Sequence, residues 1–256
     1  MKGIKSRKIF GLPLALSTPE KAVDHITEEH EKLGGKYVTF CNVHTLMTAR
    51  NDAAYAQAQK DAYLRMPDGK PLAWCLKGRG YREASQVAGP DFMQRMLRLP
   101  AERNGKHYFY GASETTLRKL EEVIRSNYPD AQIAGMESPP FRELTEEEEK
   151  EALQRMNDSG ADYIWIGLGA PKQEYFMQRN AGRARGIMFG VGAAFDFHAG
   201  RVDRAPKWLR RIGLEWLFRL LQDPQRLWKR YLMTNTQFLL LLPGYFFHAW
   251  QHRKNG

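Results

Sequence analysis

An aspartate in a tight turn is the residue of this chain best suited to act as a base. Asp68 lies between Pro67 and Gly69. The proline fixes the backbone before it and the glycine permits a sharp exit. A carboxylate held in a partly dry cleft can accept a proton from a substrate hydroxyl. The same sequence also suits an Asx turn that bonds only its own loop, and His44 is a competing base.

Four loops rich in glycine or polar residues are candidates for binding phosphate. Each follows a short apolar run, and they cover residues 44–45, 111–113, 167–174 and 190–196. In a parallel sheet such loops meet at the carboxyl ends of the strands, where helix N-termini present free N–H groups. Any one loop could be a tight turn only, but all four together indicate a phosphate or nucleotide pocket.

Several common signatures are absent from the sequence. There is no GxxxxGK[ST] motif, which disfavours a P-loop enzyme. Pro171 and Lys172 follow Gly167 and Gly169 where a complete GxGxxG would continue, which disfavours a standard NAD site. No two aspartates are spaced DxD, so we expect no metal and no cofactor beyond the substrate. The two cysteines form no CxxC pair, as is typical of a reducing, cytoplasmic protein.

Alternating strands and helices must position these loops. The sequence predicts strands over 37–43, 107–111, 131–136, 162–167 and 186–191. It predicts helices over 19–33, 46–61, 91–103, 114–127, 146–157 and 173–185. This order is typical of an α/β fold with a Rossmann-like, mainly parallel sheet covered by helices on both faces. We assign this core to residues 1–200.

The positive charge of the chain is concentrated in residues 201–256, which we call the C-terminal appendage. It contains eleven basic and three acidic residues, a net charge of +8 out of +10 for the whole chain. It also holds four of the six tryptophans. Basic residues interleaved with aromatics favour an anionic partner, either a membrane or a nucleic acid.

Two helices are expected in the appendage, over 206–222 and 224–242, with a break at Pro243 and Gly244. Residues 232–250 are mostly uncharged and nearly long enough to span a bilayer, but polar residues interrupt them. We therefore favour an amphipathic segment lying in the membrane plane over a spanning helix. The basic N-terminus lacks the apolar stretch of a secretory signal.

A series of motifs in this chain resembles the WecG/TagA/CpsF glycosyltransferases. They lie at 42–45, 67–69, 89–92, 167–174, 190–196, 204–206, 213–219 and 224–231. The resemblance implies an inverting, metal-independent enzyme that moves a sugar from a UDP-sugar onto a polyprenyl-diphosphate-linked saccharide. It implies a protein in the cytoplasm, attached peripherally to the inner face of the cell membrane through residues 201–256.

The resemblance also suggests roles for individual residues. Asp68 looks like the general base, and Thr45 looks like a residue that positions donor or acceptor. We expect the donor to be bound by Asn42, Gly111, Gly167, Gly169, Lys172, Gln173, Glu174, Gly190, Gly192 and Asp196. The diphosphate, the acceptor or the membrane would be met by Arg204, Arg211, Arg219, Arg226 and Arg230. Gln86 departs from the family pattern, which has an arginine at this position.

Other functions remain open at this point. The basic, tryptophan-rich appendage could bind nucleic acid with the α/β core as a scaffold, although its leucines suit lipid better and no nucleic acid is expected. A nicotinamide-dependent oxidoreductase is an alternative enzyme. The apolar appendage could also be the interface of a homo-oligomer, which would not explain its basic residues.

Overall fold

A six-stranded, entirely parallel sheet forms the centre of the fold. The computed structural model describes residues 3–254 and the side chains of residues 3–247. The sheet strands are β3 (Tyr37–Cys41), β4 (Leu64–Pro67), β5 (Lys106–Gly111), β6 (Gln132–Glu137), β7 (Tyr163–Gly167) and β8 (Ile187–Gly190), in the spatial order β4-β3-β8-β7-β5-β6. An antiparallel hairpin, β1 (Ser6–Ile9) and β2 (Leu12–Ala15), precedes it.

Helices flank this sheet, which confirms the predicted Rossmann-like α/β class. The helices of the core are α1 (Pro19–Glu29), α2 (Val43–Asn51), α3 (Ala53–Asp61), α4 (Lys70–Gly78), α5 (Gly89–Leu97), α6 (Glu114–Asn127), α7 (Glu146–Asp158), α8 (Lys172–Arg179) and α9 (Ala194–His198). The appendage contributes α10 (Lys207–Arg211), α11 (Glu215–Gln222) and α12 (Pro224–Lys254). Aromatic rings pack beneath the sheet, with Trp165 stacked on Phe189.

The sequence analysis missed strand β4 and helix α4. The strand has only four residues and carries an arginine, so it lacks an apolar pattern. The Arg65 side chain is nonetheless buried, because its guanidinium donates to the carbonyl oxygens of Pro13, Gln59, Lys60 and Ala62 at 2.6 to 2.9 Å. These bonds compensate for the lost hydration of the charge.

Several predicted helix boundaries are wrong. The helices predicted over 91–103 and 173–185 end at Leu97 and Arg179. The predicted helix 46–61 is two helices, because Asp52 is extended and caps α3 by accepting a bond from the Tyr55 N–H. The predicted helix 206–222 is also two, separated at Gly213, whose φ is +77°. Pro243 does not end α12. One missing hydrogen bond is tolerated there because Phe238 and Tyr245, on either side of the proline, both pack on Phe10.

The C-terminal appendage shares a hydrophobic cluster with the N-terminal hairpin and α2. Phe238 is buried in this cluster beside Ile9 and Leu46. On the same helix, Gln237 exchanges two amide hydrogen bonds with Asn51, at 3.0 and 2.9 Å. The boundary at residue 200 therefore separates regions of different charge, but the hydrophobic core is shared by the residues on both sides of it.

We expect Phe238→Ala to lower the free energy of unfolding of the whole chain by about 3 kcal/mol, because it leaves a cavity between α12 and the hairpin. Urea denaturation followed by circular dichroism measures this. The matched variant Leu240→Ala removes a side chain that is 77% exposed and should change the stability little. Equal effects of the two substitutions would show that α12 is not packed on the core.

Candidate active site

The loops predicted to bind ligand form one row along the carboxyl edge of the sheet. The strand order places Asp68 after β4, then Asn42 after β3, and then the loops that follow β8, β7 and β5. Neighbouring strands lie about 4.8 Å apart, so the row extends roughly 19 Å from β4 to β5. An elongated substrate could contact several of these loops at once.

A large cleft opens at the β5 end of this row. β5 and β7 are neighbours in the sheet, but the chain continues from β5 to β6 on one side and from β7 to β8 on the other. Because the two connections run in opposite directions, the loops after β5 and β7 separate and leave a crevice between them. The cleft has a volume of about 1430 Å³. Six residues of the predicted set line it: Gly167, Gly169, Lys172, Gly192, Asp196 and Arg226. Gly111 packs against Gly167, because a Cβ on Gly111 would lie only 2.6 Å from the carbonyl carbon of Gly167.

An arginine that the sequence analysis did not select lies at the N-terminus of α6, inside the large cleft. The Arg201 Nη1 donates to the hydroxyl oxygens of Ser113, Thr115 and Thr116 at 2.7 to 2.9 Å. Thr116 in turn donates to Asp196 at 3.2 Å. The guanidinium adds its charge to the positive end of the helix dipole. This part of the cleft therefore favours an anionic group.

Gln173 and Glu174 lie beneath the glycine loops and are buried. The Gln173 Nε2 donates to the carbonyl oxygen of Gly190 and to Glu174 Oε1, both at 3.0 Å. A carbonyl can only accept, so this contact fixes the amide with its nitrogen toward the sheet. Among the described residues, the buried Gln173 Oε1 has no hydrogen-bond partner, and it lies near Gly192, a lining residue of the large cleft. An unsatisfied acceptor therefore lies just behind the wall of the cleft.

The carboxyl group of Glu174 is fully buried. Burial raises its pKa to about 7, although the hydrogen bond from Gln173 opposes the shift. The Tyr55 hydroxyl also interacts with this carboxyl, and it accepts a bond from Gln59 at 2.9 Å. This buried polar network supports the residues beneath the cleft.

Asp68 lies half-buried at the opposite end of the row. Its N–H donates to the Cys41 carbonyl at 2.8 Å. Its own carbonyl accepts a bond from Gln86 Nε2 at 2.5 Å. The glutamine that departs from the family pattern thus holds the backbone of the candidate base. Both bonds use the main chain and leave the carboxylate available.

Burial, together with the carboxylates of Glu215 and Asp91, raises the pKa of Asp68 to about 7. The guanidinium groups of Arg204 and Arg219 oppose this shift. A base with a pKa near neutrality can both accept a proton and be ionised at physiological pH. The carboxylate therefore has the properties that proton abstraction requires.

A four-residue ion network joins the appendage to the core beside Asp68. Arg204 forms a bidentate pair with Asp91 at 2.5 and 2.9 Å and reaches Glu215 at 3.3 Å. Arg210 lies 3.6 Å from the same Asp91 carboxylate. Arg204, which we predicted to meet the diphosphate, the acceptor or the membrane, is therefore already paired with two carboxylates.

These residues form part of a small cleft of about 270 Å³ that also includes Gln86. Lys70, Lys207 and Arg211 line it as well. Within the described part of the chain, these three side chains form no ion pair or hydrogen bond. The small cleft thus combines a neutralised network with three cations that have no partner among the described residues.

Asn42 and Thr45 belong to the first turn of α2. The Asn42 side chain accepts from the Thr45 N–H at 3.1 Å, and the Thr45 hydroxyl accepts from the Asn42 N–H at 2.9 Å. This reciprocal pair is a capping box. Burial lowers the pKa of the neighbouring His44 to about 4, with a further contribution from Arg230. His44 is therefore neutral at physiological pH and a weak base.

Of the three remaining predicted arginines, Arg226 lines the large cleft, whereas Arg219 and Arg230 line neither cleft. The Arg219 guanidinium lies 5.3 Å from the Phe197 ring centre. Arg226 lines the large cleft and pairs with Asp223 at 2.6 Å. The Arg230 guanidinium lies over Tyr231, and its Nε is buried without a hydrogen-bond partner among the described residues.

Neither a metal cluster nor a membrane span is found in the part of the chain that the structure describes. No group of three His, Cys, Asp or Glu side chains among residues 3–247 could hold a metal ion. No helix within residues 3–254 is long and apolar enough to cross a bilayer.

Comparison with known proteins finds one family across nearly the entire chain. Residues 7–254 match the glycosyl transferase WecG/TagA/CpsF family. A Bacillus subtilis (strain 168) protein named N-acetylglucosaminyldiphosphoundecaprenol N-acetyl-beta-D-mannosaminyltransferase is 26% identical over 242 residues, or 93% of this chain and 92% of its own. A protein of the same name from Bacillus spizizenii (strain ATCC 23059 / NRRL B-14472 / W23) is 27% identical, covering 77% and 75%.

The buried Glu174 should make the stability of the protein depend on pH. Its pKa is about 7 when folded against an ordinary value of 4.5. The folded state therefore binds the proton more tightly, and wild-type stability falls as the pH rises through that interval. Glu174→Gln cannot lose this proton. As the pH rises through the interval, we therefore expect the unfolding free energy of the variant to increase relative to that of wild type by roughly 3 kcal/mol.

Urea denaturation at several pH values between about 4 and about 8 measures this difference. Glu147→Gln, which alters an exposed carboxylate, serves as the control and should show little pH dependence relative to wild type. A difference between Glu174→Gln and wild type that is constant over the whole range would contradict the raised pKa.

Proposed function

The chain belongs to the WecG/TagA/CpsF family of glycosyl transferases, and from this premise we propose that it transfers a sugar from a UDP-sugar to a saccharide carried on a polyprenyl diphosphate. The names of the two relatives specify such an acceptor, N-acetylglucosaminyldiphosphoundecaprenol. The observation that carries the proposal is the position of Asp68, an available carboxylate with a raised pKa, at one end of a row of loops that begins at the large cleft.

The large cleft suits the nucleotide diphosphate of the donor. Its floor is the reversal point of a parallel sheet, where nucleotides are commonly bound. Arg201 and the N-terminus of α6 supply positive charge there. These groups could stabilise the charge that develops on the leaving UDP without a metal ion. The donor would then extend from this cleft along the row, past Gln173, with its anomeric carbon toward Asp68.

Asp68 acts as the general base in this mechanism. It removes the proton from an acceptor hydroxyl, and the oxygen attacks the anomeric carbon on the face opposite the diphosphate. The new carbon–oxygen bond forms as the bond to UDP breaks, so the anomeric configuration is inverted. UDP leaves with the electron pair of the broken bond, and the proton remains on Asp68.

The appendage places this reaction at a membrane surface. Leu221, Met233 and Phe247 are 74%, 72% and 55% exposed on α11 and α12. Basic residues of the same region add about 1 kcal/mol each near an anionic leaflet. Exposed apolar side chains together with a charge of +8 support attachment in the membrane plane on the cytoplasmic side, where the lipid-linked acceptor is presented.

We expect Asp68→Asn to lower kcat by about a hundredfold or more, because the amide cannot accept the proton. The affinity for UDP should stay within about twofold of wild type, since the large cleft lies several strands away. Turnover is measured by UDP release with a UDP-sugar and a diphosphate-linked saccharide. Wild-type turnover by this variant would remove Asp68 from the mechanism.

The pH profile should report the ionisation of Asp68. Because its pKa is about 7, we expect kcat/KM to fall about tenfold for each pH unit below that value. Glu174 has a similar pKa but lies beneath the cleft, so Glu174→Gln should keep this acidic limb. A limb that vanishes in Glu174→Gln would assign the ionisation to Glu174 and not to Asp68.

A further inference from the structure

We propose that helix α4 of the core and helix α10 of the appendage together bind the diphosphate and the first prenyl units of the acceptor lipid. Two features lie together at this site. The small cleft holds three cations that are unpaired in the described structure, and exposed aromatic and aliphatic side chains of the same two helices border it. The inference rests on the proposed function and assigns a place to one part of its acceptor.

The cations of the small cleft match a diphosphate in charge. Lys70 begins α4, and Lys207 and Arg211 lie four residues apart on α10, so all three side chains reach the same space. Asp91 and Glu215 balance Arg204 and Arg210 but leave these three without a counter-ion in the described structure. A diphosphate that links a sugar to a lipid carries two negative charges. The cleft can therefore bind it through charge-assisted hydrogen bonds.

The small cleft also lies beside the candidate base. Lys70 follows Asp68 by two residues, and Gln86, which donates to the Asp68 carbonyl, lines the cleft. In a lipid-linked saccharide, the sugar ring separates the phosphate from the hydroxyl groups that can accept a new sugar. A diphosphate in the small cleft would place that sugar next to the Asp68 carboxylate.

An apolar rim continues from the small cleft on both helices. Trp74 on α4 is 50% exposed, and Trp208 on α10 is 62% exposed. Ile212, directly after α10, is 51% exposed. Gly213 brings the two helices together. A Cβ there would lie 2.8 Å from the Trp74 ring and 3.2 Å from the Lys70 Cβ, so only a glycine permits this approach. A cationic cleft with an apolar rim is complementary to an anionic head group with a hydrocarbon tail.

The test uses soluble acceptors without vesicles, so that binding to a bilayer cannot contribute. Three acceptors carry the same saccharide, attached in turn to a methyl diphosphate, a short prenyl diphosphate or a neutral alkyl group. The full-length chain is compared with Lys70→Gln/Lys207→Gln/Arg211→Gln and with Trp74→Ala/Trp208→Ala. Lys21→Gln/Arg118→Gln/Lys119→Gln removes three exposed charges elsewhere and serves as the matched control.

We expect the triple cation variant to raise KM for both diphosphate acceptors at least about tenfold, because the loss of even one hydrogen bond to a charged group weakens binding by about that factor. KM for the neutral acceptor and for the UDP-sugar should not change. The tryptophan variant should lose the preference for the prenyl over the methyl diphosphate and keep the KM of the methyl compound. If a combined variant is unstable, the single variants Arg211→Gln and Trp208→Ala replace it, and we expect each to show the same pattern to a smaller extent.

Two results overturn the assignment. One is a cation variant that keeps the wild-type ratio of KM values between diphosphate and neutral acceptors. The other is a tryptophan variant that keeps the preference for the prenyl chain. A wild-type enzyme that transfers sugar to none of the diphosphate acceptors would instead contradict the proposed function, so the two failures are distinct.

Discussion

The bidentate pair between Arg204 and Asp91, extended to Glu215, is the interaction on which the site depends. Asp91 belongs to core helix α5, whereas Arg204 and Glu215 belong to the appendage. The pair therefore holds the appendage over the end of β4. It contributes to the electrostatic field at Asp68, where its carboxylates raise the pKa and its guanidinium lowers it. Loss of one partner would leave a partly buried charge uncompensated and alter both the attachment and the base.

Two carboxyl groups with nearly the same pKa serve different purposes in this molecule. Burial raises the pKa of Asp68 and of Glu174 to about 7. Glu174 is enclosed by Gln173 and Tyr55 and holds an amide beneath the glycine loops. Asp68 uses only its main chain for local hydrogen bonds and keeps its carboxylate free. Access to the carboxylate, and not its pKa, distinguishes a candidate base from a supporting residue.

The sequence predicted five of the six sheet strands and the glycine-rich and polar loops of the row, because such residues follow apolar runs. It also selected Asp68 from the chemistry of its turn. It did not predict β4, since Arg65 interrupts the apolar pattern of that strand and is compensated only by the carbonyl groups that the fold brings to it. It also did not predict α4, and Lys70 and Trp74 on that helix were missed with it. Arg201 was counted only as a basic residue, because its contact with α6 depends on tertiary structure.

A crystal structure with a non-hydrolysable UDP-sugar analogue, in which carbon replaces the oxygen between the sugar and the diphosphate, tests the central claim most directly. Our account predicts the nucleotide in the large cleft, the diphosphate near Arg201 and the N-terminus of α6, and the anomeric carbon directed along the row toward the Asp68 carboxylate. A nucleotide bound in the small cleft, or a sugar directed away from Asp68, would contradict it.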